Sequence, residues 1–274
     1  MTSLEIDRLA GTAPRVAWVT GASSGIGAAV AVELARRGWT VAASARRTER
    51  LEALAQSLPG EASGRIVAHP VDVTDADGLA ATVNAIERVH GPITLAFLNA
   101  GVAPGSDAGG LDLAALEQAL AVNLMGVARP LSLLMDRMAA RGQGTIAVNA
   151  SLVGYRGLPG AAAYGASKAA AIHLCESLAF DCARHGIALK LVAPGFVDTP
   201  MVAGQSFAKP MMIAVEDAAR RIVDGLGRPG FEIAFPRRMA WLVKLLRVLP
   251  YPAYAWLVAR LDRRLGKGRN RGPG

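Results

Sequence analysis

Cysteine is scarce in this chain of 274 residues, with only Cys175 and Cys182. Seven apart on one expected helix, they share a face but lie two turns apart, too far to form a disulfide. They read as small buried hydrophobes. Histidine is scarce as well. Four scattered histidines and two cysteines provide no cluster with metal-ligand spacing, so no metal is expected. An unbroken apolar run is also missing. The longest apolar region, Met239 to Ala259, is interrupted by Lys244, Arg247, Pro250 and Pro252, whereas a membrane-spanning helix needs about 20 mostly apolar residues. The opening "MTSLEIDRLAGTAP" lacks the cation-then-apolar pattern of a secretion signal. A cytoplasmic protein is therefore expected.

Acidic residues are almost absent from one end. Residues 237–274 hold ten Lys/Arg against Asp262 alone, while residues 1–236 hold 20 basic and 21 acidic residues. The net charge of +8 is thus a property of the tail. It implies no nucleic-acid-binding catalytic face.

What is present is alternation. "RVAWVT" (Arg15 to Thr20) reads as a strand and "GIGAAVAVELARRG" as a helix ending at Gly38. "TVAASA" (Thr40 to Ala45) and "TERLEALAQSL" repeat the pair, and "RIVAHPV" leads into the helix "DADGLAATVNAIERVHG". "ITLAFLNAG", "GTIAVNAS" and "IALKLVAPG" are further apolar runs, each followed by a helix or a Gly/Pro turn. Strands alternating with helices argue for βαβ units and a parallel sheet. Such sheets are covered on both faces, which explains strands that are apolar almost throughout. The expected fold is α/β: a doubly wound, Rossmann-type parallel sheet flanked by helices. The expected organisation is an N-terminal lead (1–14), one catalytic domain (15–236), a basic amphipathic C-terminal helical extension (237–265) and a disordered basic tail (266–274).

The chemistry-bearing residues fall at strand ends. "TGASSGIG" puts Gly21, Gly25 and Gly27 in a strand-to-helix turn, with Ile26 between the last two. Glycine lets the backbone approach a pyrophosphate. The following helix N-terminus offers free N–H groups, and Ser23 and Ser24 add hydroxyl donors. The second strand ends in "SARR". Ala45 stands where an acid would accept the adenosine ribose hydroxyls, and Arg46 and Arg47 follow. Arginine there suits a 2′-phosphate, so NADP(H) is expected in preference to NAD(H). Asp72 and Val73 are placed to bond and pack on adenine, while Thr74 or Asp75 caps the next helix. Asn99, Ala100 and Gly101 end the fourth strand, where a cofactor ribose passes closely.

"NAS" ends the fifth strand at Ser151. Tyr164 follows thirteen residues later, and Lys168 four after that. Positions i and i+4 share a helix face. An ammonium beside a phenol lowers its pKa and makes it a usable acid or base nearer neutrality. Ser151 can then hold a substrate oxygen against the phenol, and the surrounding alanines and glycines leave room.

Taken in order, "TGASSGIG", "DVTD", "NAG", Asn123 in "VNLMG", Ser151, "YGASK" and "PGFVDTP" resemble the short-chain dehydrogenase/reductase family over about Arg15 to Pro236. The resemblance implies a Rossmann-type fold and hydride transfer with a nicotinamide cofactor. It implies Tyr164 as acid/base, Lys168 on the nicotinamide ribose, Ser151 on the reacting oxygen and Asn123 in a water relay to Lys168. Asn123 can also be a structural helix residue that bonds backbone, and both roles can hold together. Pro194, Gly195 and Val197 would shape the nicotinamide face, and Thr199 would bond its carboxamide or a phosphate. Arg46 matches the family's NADP pattern, while the second basic position of that pattern holds Ser24 here. A homodimer or homotetramer is implied by resemblance only.

Leu152, Val153, Tyr155, Leu158, Met201, Phe207, Met211 and Met212 flank the expected site. They suggest an apolar carbonyl or alcohol substrate, methionine suiting an adaptable pocket. The tail reads as two basic amphipathic helices carrying Trp241, Tyr251, Tyr254 and Trp256. Packing on the enzyme or a partner subunit is the first expectation for it, and peripheral contact with a membrane the second. A dinucleotide-binding sensor without turnover is a further alternative on the same fold.

Overall fold

The computed structural model describes residues 14–60, 62–104, 111–203 and 209–266. Seven parallel strands form one sheet in the order β3-β2-β1-β4-β5-β6-β7. They are β1 (Val16–Thr20), β2 (Thr40–Ser44), β3 (Arg65–Ala68), β4 (Leu95–Leu98), β5 (Gly144–Asn149), β6 (Ile187–Pro194) and β7 (Glu232–Phe235). The helices are α1 (Gly25–Arg36), α2 (Thr48–Gln56), α3 (Ala76–His90), α4 (Leu113–Ala119), α5 (Gly126–Arg141), α6 (Ala162–Arg184), α7 (Pro200–Ala203), α8 (Val215–Leu226), α9 (Arg237–Val248) and α10 (Tyr251–Gly266).

All five β1 residues are buried, as continuous apolar runs require when helices cover both faces. One face packs Val127, Leu131, Leu134 and Met138 of α5 and Ile172 and Cys175 of α6. The other packs Val30, Ala31 and Leu34 of α1 and Ile222, Val223 and Leu226 of α8. Trp18 is fully buried and its indole N–H donates to Ser44 Oγ at 2.9 Å, which satisfies the polar atom that burial would otherwise strand. Asp75, one of the two caps expected, caps α3 by accepting from Gly78 N at 3.0 Å. Cys175 and Cys182 are buried free thiols.

The segment Leu113–Arg141 is long and apolar enough to cross a membrane by length and composition. Here that hydrophobicity is spent on the core, because its inward residues line the sheet. Strand β7 was not anticipated, and it extends the sheet beyond β6 with Leu191 opposite Glu232.

Beyond β3, His69 and His90 meet with their Nε2 atoms 3.3 Å apart and their rings edge to face. Burial lowers both pKa values; His90 pushes His69 further down, and Arg65 does the same to His90. The sign follows directly. The unfolded chain takes up these protons at about pH 6.5, before the folded one does, so protonation favours unfolding. The thermal midpoint should fall as pH drops from neutral through that value. In His90→Gln the fall should be shallower, measured by thermal scans across pH. Equal slopes in the two proteins would remove the pair as the cause.

Candidate active site

The order of strands reverses its direction of growth between β1 and β4, and ligands of open α/β sheets bind beyond the carboxyl ends at such a point. A cleft opens there. It is lined at one end by Arg46, Arg47 and Asp72, in the middle by Gly21, Ser23, Ser24, Gly25 and Ile26, and at the other end by Ser151, Tyr164 and Lys168. Val73, Asn99, Ala100, Gly101, Pro194, Gly195, Val197 and Thr199 also line it. Residues from seven separate stretches of sequence therefore converge.

The glycine turn is shaped by close approach. Gly21 has φ +67, and a Cβ there would sit 2.7 Å from Ala100 Cα. A Cβ on Gly27 would sit 2.3 Å from Gly21 O and 2.5 Å from Asn99 Nδ2, so Gly27 lies beneath the turn and lets it close. Asn99 Nδ2 donates to Thr20 O at 3.1 Å and Gly21 O at 3.3 Å. Its Oδ1 accepts from Asn149 Nδ2 at 2.8 Å. The buried Thr20 hydroxyl accepts from the amides of Asn99 and Ala100. One amide and one hydroxyl thus lock β1, β4 and β5 together at the cleft floor. Ser24 precedes α1 without a side-chain cap, which leaves the helix N–H groups to a ligand anion.

At the end formed by Arg46, Arg47 and Asp72, Arg47 Nη2 donates to Ser23 Oγ at 3.3 Å. Asp72 Oδ1 accepts from the Thr74 amide at 2.9 Å and hydroxyl at 2.8 Å. Burial alone would raise the Asp72 carboxyl, but the Thr74 bonds and nearby Arg46 carry it below the usual range.

At the opposite end, Lys168 is 3% exposed, and its ammonium donates to Asn149 O at 2.7 Å. Burial brings its pKa down to about 8. The ammonium lies 5.8 Å from the centroid of the Tyr164 ring. The Tyr164 phenol is not lowered as expected. Burial pushes it up, against a smaller opposing effect of its hydrogen bond with Ser151. The reason is positional: Lys168 is held by a main-chain carbonyl, while the phenol is desolvated. Ser151 also donates to Pro194 O at 3.4 Å.

Asn123 sits in a π-helical turn, Leu120–Met125, between α4 and α5. Its amide donates to Val102 O and Ser167 Oγ, both at 2.9 Å, and its Oδ1 accepts from Val102 N at 2.8 Å. It is fully buried and stands behind the lining. A Cβ on Gly101 would fall 3.2 Å from Asn123 Oδ1 and 3.6 Å from Lys168 Nζ. Two of these bonds go to the Val102 backbone and one to the Ser167 hydroxyl.

Of the residues expected to contact substrate, Met201 lines the cleft. Leu152 and Tyr155 lie outside that lining and are buried in the core, 3% and 6% exposed. The turn Leu152–Tyr155 is 3₁₀ and rotates Tyr155 inward, where its hydroxyl donates to Glu232. Val153, Leu158, Met211 and Met212 are outside the lining among the described residues. Phe207 lies outside the described residues. Val102, Gln118, Val122 and Val202 line the cleft without having been anticipated. Val122 carries a signal in hindsight, since it precedes Asn123.

A family model described as short chain dehydrogenase matches residues 15–209. The chain belongs to the short-chain dehydrogenase/reductase family. The dehydrogenase is 36% identical over 249 residues to an uncharacterized oxidoreductase of Myxococcus xanthus, covering 90% of this chain and 97% of that one. It is 37% identical over 218 residues to the cis-4-hydroxycyclohexanecarboxylate dehydrogenase of Sinomonas cyclohexanicum, covering 79% and 85%. Its fold matches a short-chain dehydrogenase from Sphingobium yanoikuyae solved in complex with NADPH, at TM-score 0.75 and 29% identity, over 90% of this chain and 95% of that one. The dehydrogenase is accordingly an NAD(P)-dependent oxidoreductase. The cleft fits a dinucleotide: glycines where any Cβ would collide, an uncapped helix N-terminus and arginines at one end.

Proposed function

We propose that this dehydrogenase transfers hydride between NADP(H) and an apolar carbonyl or alcohol, with Tyr164 as general acid/base. The observation that carries the reading is the meeting of Ser151, Tyr164 and Lys168 at one end of a cleft whose other end holds Arg46 and Arg47. The bound nicotinamide supplies or accepts the hydride. Everything else falls to side chains. Tyr164 holds the proton at its phenol oxygen and delivers it to the substrate oxygen in reduction. Ser151 hydrogen-bonds that oxygen and orients it. Lys168, fixed on Asn149 O, presents its remaining N–H donors to the nicotinamide ribose and keeps positive charge near the developing phenolate. Asn123 positions the Gly101–Val102 backbone beside Lys168.

For the cofactor, Ala45 offers no carboxylate to a ribose 2′-hydroxyl, and the two arginines offer forked donors to a 2′-phosphate. Calorimetric titration should give NADPH at least about tenfold tighter binding than NADH, and Arg46→Ala should remove most of that gap, since one charged hydrogen bond is worth about 1.5–3 kcal/mol. NADH binding as tightly as NADPH would overturn the preference while leaving the reaction class intact. Met201 and Val202 give the substrate end an apolar wall, in keeping with an apolar substrate. Family precedent adds a homodimer or homotetramer as the expected assembly.

A further inference from the structure

The C-terminal helices are tied down on one side and bare on the other. The inner side of α9 buries Ala240 and packs Met239 and Val243 on the core. Met239 reaches the reactive end, because a Cβ on Gly195 would lie 2.7 Å from its sulfur. Ion pairs hold its flanks: Lys244 with Glu232, and Arg247 with Glu176 at 3.1 Å. The start of α10 is held by Arg156, whose guanidinium lies between the rings of Tyr251 and Tyr254, 4.4 and 4.3 Å from their centroids. Tyr254 also donates to Gly157 O. These contacts fix the helix pair to the segment that follows Ser151.

The opposite face is apolar. Trp241 is 73% exposed, Val248 75% and Trp256 61%, and Leu242 and Leu245 are exposed beside them. Trp241, Leu245 and Val248 follow i, i+4, i+7 spacing, so they form one ridge. Arg237 and Arg238 stand exposed one turn before Trp241 and Leu242, and Arg260 lies over the Trp256 ring at 5.5 Å. Aromatic and aliphatic side chains on the free face, with cations alongside, make the pattern of a helix lying in a bilayer interface.

Charge selects the occupant. Residues 237–274 carry ten Lys/Arg and one acid, and the rest of the chain is close to neutral. A two-fold contact through this face would set the same cations of two copies against each other. An anionic lipid surface accepts both the cations and the apolar ridge.

We propose that α9 and α10 dock this enzyme on the surface of an anionic membrane, apolar face down. The docking is independent of the reaction proposed above, and vesicle binding is read without cofactor or substrate. Full-length protein is floated with vesicles of phosphatidylglycerol and phosphatidylcholine, and with phosphatidylcholine alone. The protein should partition onto the anionic vesicles at least about tenfold more strongly, and high salt should weaken it. Trp241→Glu/Leu245→Glu and Arg237→Glu/Arg238→Glu should each lose that partitioning while keeping the thermal midpoint and NADPH affinity of the parent. Failure of the parent protein to float, equal binding to both vesicle types, or undiminished binding by the variants would overturn the proposal. A parent that does not float, and whose Trp241→Glu/Leu245→Glu form sediments as a smaller species, would assign the face to a second copy instead.

Discussion

Replacing Tyr164 with Phe should lower kcat by about 10²–10⁴-fold, the usual contribution of a positioned proton donor. NADPH affinity should change by no more than about threefold, because the substitution removes one hydroxyl and leaves the ring volume in place. The phenol is buried and hydrogen-bonded to Ser151, so its loss also leaves Ser151 with one partner fewer. That is a local effect, and the thermal midpoint should stay near that of the parent. Steady-state kinetics and calorimetry on the same preparation separate chemistry from binding. Loss of both together would mean that the ring, and not the proton, was what mattered. A pH profile gives a second view. Lys168 has its pKa brought down to about 8 by burial, so it is a cation below that pH and neutral above it. Activity should decline on the alkaline side as this charge is lost.

Gly27→Ala should be strongly damaging for so small a substitution. The added carbon would lie 2.3 Å from Gly21 O and 2.5 Å from Asn99 Nδ2, and both are anchored. Gly21 belongs to the turn, and Asn99 is bonded to Thr20, Gly21 and Asn149. Relief requires moving the turn away from β4. Overpacking of this kind costs about 1–3 kcal/mol in stability. Dinucleotide affinity should suffer more, since the backbone that approaches the phosphates is what moves. Gly60→Ala is the comparison, because nothing lies within 4 Å of the added carbon, and it should stay within about 0.5 kcal/mol of the parent. Chemical denaturation and NADPH titration of the two variants check both statements. Equal behaviour of Gly27→Ala and Gly60→Ala would mean that the turn tolerates displacement.

The parts of this molecule that are legible in sequence are those set by local rules. Apolar runs such as "VAWVT" mark strands covered on both faces, and three glycines after the first one mark a tight approach to helix α1. Seven motifs and residues in family order carry the resemblance, and their residues line or back the cleft. What escaped is set by contacts distant in sequence. Strand β7 is four residues long and contains Glu232, whose carboxylate is answered by Tyr155 and Lys244; neither partner is visible in "FEIAF". Tyr155 was expected in the substrate wall because it follows Ser151 closely, yet a 3₁₀ turn directs it inward. The π-helical turn around Asn123 has no sequence mark, because its geometry answers to Val102 and Ser167. The tail was readable as two amphipathic helices, but not the stacking of Arg156 between Tyr251 and Tyr254 that holds them in place.

The central claim is hydride transfer at the Ser151–Tyr164–Lys168 end of the cleft, and isotopic labelling tests it most directly. The enzyme is given NADPH deuterated at the nicotinamide C4 position, in both stereochemical forms, together with a mixture of apolar ketones and aldehydes. The products are then analysed by mass spectrometry. The account predicts one deuterium on the carbinol carbon of at least one product from one of the two labelled forms, and at least about a hundredfold less of that product from Tyr164→Phe over the same time. Products without deuterium from either form, or equal labelling by parent and variant, would contradict it.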